Sequence, residues 1–217
     1  DVIIGTLWGD AEADAALSEW CDIARVLHAL HGARIGLMGH VLESMYDMHA
    51  DPTAVSAAFG CHVPLLEIED AVEAYNEVTD EEIAAKKAII EREFDMPNPV
   101  SDPVTVKVTD KDLHEAAKTA AALDRLIEKH HLTGLAYYYE GRPDSIQRHV
   151  ASSFIVGNSI LNAEGFPMCG EYDIKTCIAM LIMDRLNIGG SFAEFHPFDF
   201  REDFILVGHD GPHHIAI

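Results

Sequence analysis

The fold class this sequence predicts is α/β: an open parallel sheet with helices on both faces, followed by the start of a more β-rich domain. Three observations carry that prediction. Segments with a helical apolar period alternate with short apolar runs bounded by Gly, Pro or Asp, the order a parallel sheet requires. The helical segments open on capping residues and close on glycine or histidine. Beyond residue 187 the helical period vanishes and aromatic and β-branched residues take over. The expected division is therefore residues 1–187 as the α/β domain and 188–217 as the beginning of a β-rich one.

From Asp10 to His31, Leu17, Trp20, Ala24 and Leu27 recur at helical spacing, and Gly32 closes the helix. "ARIGLMG" (33–39) reads as a buried strand, and "HVLESMYDMHADP" (40–52) as a loop with a turn at Asp51-Pro52. A short helix over 53–59 ends at Gly60, and "CHVPLLEI" (61–68) is a second strand. An acidic helical pattern over 69–94 breaks near Thr79, where Thr79-x-x-Glu82 forms a capping box. "DMPNPVSDP" (95–103) is a loop. Thr109-x-x-Asp112 opens a helix to His131 with Leu113, Ala116, Ala117, Ala120 and Leu123 on one face. "TGLAYYYE" (133–140) is a third strand, 146–163 a helix, "GFPMCG" (165–170) a fourth strand, and a last helix runs from Glu171 or Tyr172 to Asn187.

Composition narrows the function. Thirty-seven acidic residues against 15 basic give a formal charge of −22, a field that repels nucleic acid and anionic lipid. No apolar stretch reaches the ~18 residues of a membrane span, and no leader signals export. The dispersed Cys21, Cys61, Cys169 and Cys177 form no CxxC pair, which argues for reduced, mostly buried thiols in a cytoplasmic protein. The chain opens on "DVIIGTLWGD" without methionine and stops on an apolar triplet, 215–217. We therefore expect an excerpt of a longer polypeptide, cut within a strand.

Potential chemistry gathers late. In open α/β sheets ligands bind beyond the carboxyl ends of strands, where "PMCGEYDIKT" (167–176) places Glu171 and Asp173. Both also suit a plain helix first turn. "GGSFAEFHPFDF" (189–200) sets Glu194 among aromatics. As a strand it puts Phe192, Glu194, His196 and Phe198 on one face, with Ala193 and Phe195 on the other. His209 follows the apolar run 204–207, between Gly208 and Gly211. His213 and His214 come next, with Pro212 breaking any helical spacing. Two carboxylates and one imidazole suit a hard octahedral ion such as Mn2+ better than zinc or copper.

"GEYDIKTCIAMLIMDRL", "GGSFAEFHPFDF" and "FILVGHDGPHHIAI" together resemble the metal-site region of the L-arabinose/L-fucose isomerase superfamily, with the closer likeness to its fucose-isomerase-like members and the arabinose isomerases. Upstream, "GARIGLMGHVLESMYDMHADPTAVSAAFG" resembles the family's middle-domain strand, loop and helix. The resemblance implies Glu171, Glu194 and His209 as ligands of Mn2+ (Mg2+ or Co2+ as alternatives), and Glu171 and Glu194 as the acid/base pair. It implies an aldose–ketose sugar isomerase working through metal-assisted enediol proton transfer, with a metal-assisted hydride shift as the other route that the sequence alone does not distinguish. It also implies a fourth ligand outside this chain and a homo-oligomer whose active sites are shared between subunits. Tyr172 for a glycine, and Phe195-His196 for an Asp-Tyr pair, depart from the arabinose isomerase pattern. Met45, Tyr46 and Asp47 in the loop after the first strand, with Lys175, are the expected sugar contacts. The competing reading is a sugar-binding α/β module without catalysis. It does not require two carboxylates and a histidine at successive strand ends.

Overall fold

The computed structural model describes residues 2–6 and 8–216. Four strands form a parallel sheet: β1 (Ile35–Gly39), β2 (Leu65–Leu66), β3 (Gly134–Tyr138) and β4 (Met168–Cys169), in spatial order β2-β1-β3-β4. The alternation of side chains along each strand divides the core in two. On one face Met38, Leu66, Leu135, Tyr137 and Met168 pack beneath α3 (Ile68–Glu77), α5 (Asp110–His130), α6 (Ile146–Ser152) and α7 (Ile155–Ala163). On the other, Ile35, Leu37, Ala136 and Cys169 pack beneath α1 (Ala11–Gly32), α2 (Pro52–Phe59) and α8 (Ile174–Arg185). The remaining helix, α4 (Asp80–Glu93), lies outside the sheet layer, with Ile83 and Ile90 against Ala117 and Ile160. The predicted fold class is therefore the observed one.

Both capping boxes form as read. Thr79 N donates to Glu82 Oε2 at 2.7 Å, and Thr109 N to Asp112 Oδ2 at 2.8 Å. Each threonine hydroxyl accepts the reciprocal amide at 3.3 Å. Cys21 is exposed and the other three cysteines are buried, all as free thiols.

Six local expectations fail for identifiable reasons. The second strand shrinks to two residues because Pro64 has no N–H for the ladder, although Leu37 N still donates to Pro64 O at 2.9 Å and Ile35 N to His62 O at 2.9 Å. The helix expected over 146–163 breaks at Ser153. There the Ser152 and Ser153 hydroxyls donate back to His149 O, at 3.1 and 2.7 Å, competing with the helical ladder. Thr119 Oγ1 approaches Ser153 O at 2.9 Å, and Phe154 is driven into the core against Tyr137. The helix α1 buries Val26 and Leu30, while Leu17, Trp20 and Leu27 face outward, because it packs on the sheet layer through a different stripe from the one those three form. Residues 215 and 216 form a turn in place of the strand expected over 215–217, and Ile217 lies outside the described residues. The fifth concerns the last helix and is taken up with the site; the sixth is the face of Phe198.

Past α8 the character changes as expected. Two antiparallel strands, β5 (Glu194–Asp199) and β6 (Phe204–Gly208), make a separate sheet. A register shift between Phe195 and Phe198 interrupts the alternation. Phe198 therefore leaves the face it was expected to share with Phe192 and Glu194, and stacks outward on Phe200 at 6.0 Å.

Candidate metal centre

The carboxyl ends of β1, β3 and β4 open on one edge of the sheet, and the site is built there. At the end of β1, Gly39 adopts φ +91, and a Cβ would lie 1.9 Å from Tyr138 O. Only glycine lets the chain turn away so close to β3, and His40 N then donates to Tyr138 O at 2.9 Å. The next loop winds through a single 3-10 turn at Tyr46–Met48.

After β4 the chain does not enter a helix directly. Glu171 and Tyr172 both take left-handed conformations, φ 57 and 64, a strained choice for residues with side chains. Two fixtures hold them. Tyr172 N donates to Tyr137 O at 3.0 Å. Asp173, 5% exposed, caps α8 by accepting from Lys175 N at 3.0 Å and Thr176 N at 3.1 Å. The helix thus starts at Ile174, later than expected. Asp173 is its cap, and Glu171 is released from any first-turn role to project from the turn.

Glu194 opens β5 and His209 follows β6. These three side chains, from different elements, each offer a ligand atom lying within 4.8 Å of the other two. Donors on one hard divalent ion at about 2.1 Å span at most about 4.2 Å, so closure onto an ion needs shifts of a few tenths of an ångström. Electrostatics favour a cation here. Burial pushes the Glu171 carboxyl above its ordinary range, and the nearby charges of Glu194, Asp173 and Asp47 push it further. His209 Nδ1–H donates to Pro212 O at 3.3 Å, leaving the lone pair on Nε2 free to accept. Its ring packs edge-on to Phe192, with centroids 4.6 Å apart.

His213 and His214 take structural positions. His213 N donates to Ser159 Oγ at 3.1 Å, and His213 Nε2–H donates to His209 O at 3.0 Å. Ser191 Oγ donates to His213 Nδ1 at 3.3 Å and accepts from His214 N at 3.2 Å. These bonds tie the hairpin and the segment after it to α7.

A cavity of about 320 Å3 adjoins Glu171 and His209, lined also by Tyr138, Tyr139, Arg148 and Ser152. Burial first, then Glu140, raises the pKa of the Tyr138 phenol, with Arg148 acting in the opposite direction. Of the residues read as sugar contacts, Lys175 Nζ donates to Asp47 O and ties the loop after β1 to α8. Asp47 lies near enough for its charge to act on Glu171. Tyr46 is 79% exposed and stacks on His49, and Met45 is partly buried. None of the four lines this cavity. Tyr138, Tyr139, Arg148 and Ser152 were missed, although three tyrosines at the carboxyl end of a strand were a usable signal.

Comparison with known proteins agrees with this architecture. The family model of the L-arabinose isomerase central domain matches residues 38–189. An L-arabinose isomerase of Bacillus subtilis is 24% identical over 216 residues, which cover 95% of this chain and 41% of that protein. An L-arabinose isomerase of Pediococcus pentosaceus is 23% identical over 215 residues, covering 95% and 43%. The chain thus spans less than half the length of these curated relatives. With the family model matching most of its length, the chain belongs to the L-arabinose isomerase family, of which it carries the central domain.

Proposed function

We propose that this chain is part of a divalent-metal-dependent aldose–ketose sugar isomerase, with Glu171, Glu194 and His209 holding the ion. The observation that carries the reading is the convergence of those three side chains, from the β4–α8 turn and both strands of the hairpin, within 4.8 Å. Two carboxylates and one imidazole fit Mn2+ best, with Mg2+ or Co2+ as alternatives. When bound, such an ion polarises a substrate carbonyl and stabilises charge developing on oxygen.

The remaining work falls to the side chains. Aldose–ketose interconversion removes a proton from C2 of the open-chain sugar, leaves its electron pair to form the C1–C2 double bond, and returns a proton to C1. One carboxylate of the Glu171/Glu194 pair takes the first proton and gives it back, while the other assists transfer between the two oxygens. Asp173 and the Tyr172 amide fix the turn that aims Glu171, and Pro212 O fixes the His209 tautomer. Lys175 holds the loop bearing Met45, Tyr46 and Asp47 close to this centre, where the loop contributes sugar contacts. The rest of the protein, beginning with the β-rich unit opened by residues 188–217, supplies the fourth ligand, and subunits of a homo-oligomer complete one another's sites. Among the described residues no helix is long and apolar enough to cross a membrane. The reading proposed is a cytoplasmic enzyme acting on a small sugar.

Thermal unfolding with and without Mn2+ tests the assignment. The metal is expected to raise Tm, since a ligand at 100 times its Kd stabilises by about 2.7 kcal/mol, and Glu194→Gln is expected to remove that shift. A shift that survives the substitution would exclude Glu194 as a ligand.

A further inference from the structure

Fifteen lysines and arginines share this chain with 37 acidic residues, so a cation left without a partner is informative. Most are engaged by carboxylates or carbonyls, as Lys86 is by Asp124, Arg125 by Glu82 and Arg34 by His130 O. Lys118 sits over the Tyr75 ring. Of those with no such partner, Lys107, Lys111, Arg142 and Arg201 are exposed to solvent. Arg148 is different. It is partly buried, yet among the described residues no carboxylate lies within 4.0 Å of its guanidinium, and its side chain donates no hydrogen bond.

Its location gives that isolation meaning. Arg148 lines the cavity of about 320 Å3 that also contains Glu171 and His209. Glu140, the other charged group in that lining, is exposed and outside ion-pair reach of it. A guanidinium carries five donors in a planar fork that matches the oxygens of a carboxylate or phosphate. Its nitrogens keep contact with water and have no protein acceptor, so an oxyanion entering the cavity would find free charged donors in place of solvent. Tyr138, Tyr139 and Ser152 supply the neutral surface and hydroxyls that a sugar body needs. A divalent ion at the metal centre would offset the two carboxylates there and strengthen anion binding, without being needed for the preference that Arg148 sets.

We propose that Arg148 is a specificity-determining residue of this cavity, and that its substrate is a sugar bearing an oxyanion, a carboxylate or phosphate, away from the reacting carbons. The proposal rests on the isomerase reading above for the identity of the reacting carbons, and on the cavity alone for the anion.

The experiment is titration calorimetry on Mn2+-loaded protein, and again after EDTA treatment. The probes are neutral aldopentoses and aldohexoses, each alongside its uronate and its terminal phosphate. In the wild type, one anionic form is expected to bind at least about tenfold more tightly than its neutral parent. Arg148→Ala should erase that preference while changing the neutral parent's affinity far less, and Arg148→Lys should recover part of it. Whichever anion gives the larger preference identifies the oxyanion. Equal affinities in the wild type, a preference undiminished in Arg148→Ala, or no binding by any probe would each overturn the proposal. Failure of the metal reading appears separately, as absence of any Mn2+ effect on Tm, while the anion preference is still read in the EDTA-treated protein. Unchanged Tm in Arg148→Ala verifies that it folds.

Discussion

Replacing Gly211 by alanine is a sharp test of how the metal centre is aimed, because it leaves every proposed ligand in place. A Cβ at residue 211 would lie 2.6 Å from His209 Cε1, 3.1 Å from Nδ1 and 3.2 Å from Nε2. Ordinary van der Waals contact begins at 3.4 Å, so the ring must retreat by about 0.8 Å. That is several times the roughly 0.2 Å tolerance of a metal–ligand distance. The retreat also strains the Nδ1–Pro212 O bond, which is already 3.3 Å long. Disturbing such an orienting partner typically costs about 10–100-fold in metal affinity, or about 1.4–2.7 kcal/mol. Isothermal titration with Mn2+ on the wild type, Gly211→Ala and His209→Ala reads this directly. We expect Gly211→Ala to fall between the other two. Wild-type affinity in Gly211→Ala, with affinity lost in His209→Ala, would show that the ring has room the geometry denies it. If neither substitution changes affinity, His209 is not a ligand.

Two further predictions concern the scaffold. Asn162, 7% exposed, accepts from Met168 N at 2.8 Å and donates to Met168 O at 3.2 Å, standing in for a fifth strand at the edge of β4. Asn162→Ala strands both buried groups, and should cost about 2–3 kcal/mol and lower Tm by roughly 5–10 °C; calorimetry showing under a degree would mean that water replaces the amide. Glu115 accepts from Tyr75 OH at 2.7 Å and hydrogen-bonds His149 Nε2 at 3.1 Å. Burial alone would raise its pKa, but these bonds outweigh it and hold the carboxyl below its ordinary 4.5. Its contribution to stability is therefore present above that value and lost as pH falls through the folded pKa. Melting curves from about pH 3 to 6 should show a shallower acid decline for Glu115→Gln than for the wild type, and parallel curves would refute this.

What the sequence disclosed depended on how local the cause was. The capping boxes at Thr79 and Thr109 are contained in four residues each, so their sequence sufficed. The sheet was legible because β1 and β3 are buried on both faces, which makes their apolar runs continuous. The Phe198 reversal was not, because a bulge depends on how the partner strand registers. Nor was the outward stripe of α1, because the same helical period results whichever face finds a partner. For Glu171, motif and neighbourhood pointed to the turn where the three side chains converge, while its backbone state stayed hidden. A left-handed Glu-Tyr pair is held by Asp173 and Tyr137 O, and no propensity predicts it. Arg148 escaped notice because an unpaired cation is recognisable only once every potential partner has been placed.

The three converging side chains come from two different sheets, and this gives the terminal histidines their role. Glu171 is fixed to the parallel sheet through Tyr172 N and Tyr137 O. Glu194 and His209 ride on the hairpin, whose exposed outer face adds little hydrophobic anchorage. Relative motion of the two sheets would open the ligand set long before either unfolds. What joins them here is the buried Phe192, together with the bonds from His213 to Ser159 and His209 O and from His214 to Ser191. The cluster "GHDGPHH" thus divides its work. His209 faces the carboxylates, Gly211 makes room for its ring, Pro212 sets its tautomer, and His213 and His214 secure the seam. The saturation of His213 by Ser191 and His209 O, with both ring nitrogens engaged, argues that it serves the centre as a fastener and not as a donor to the ion.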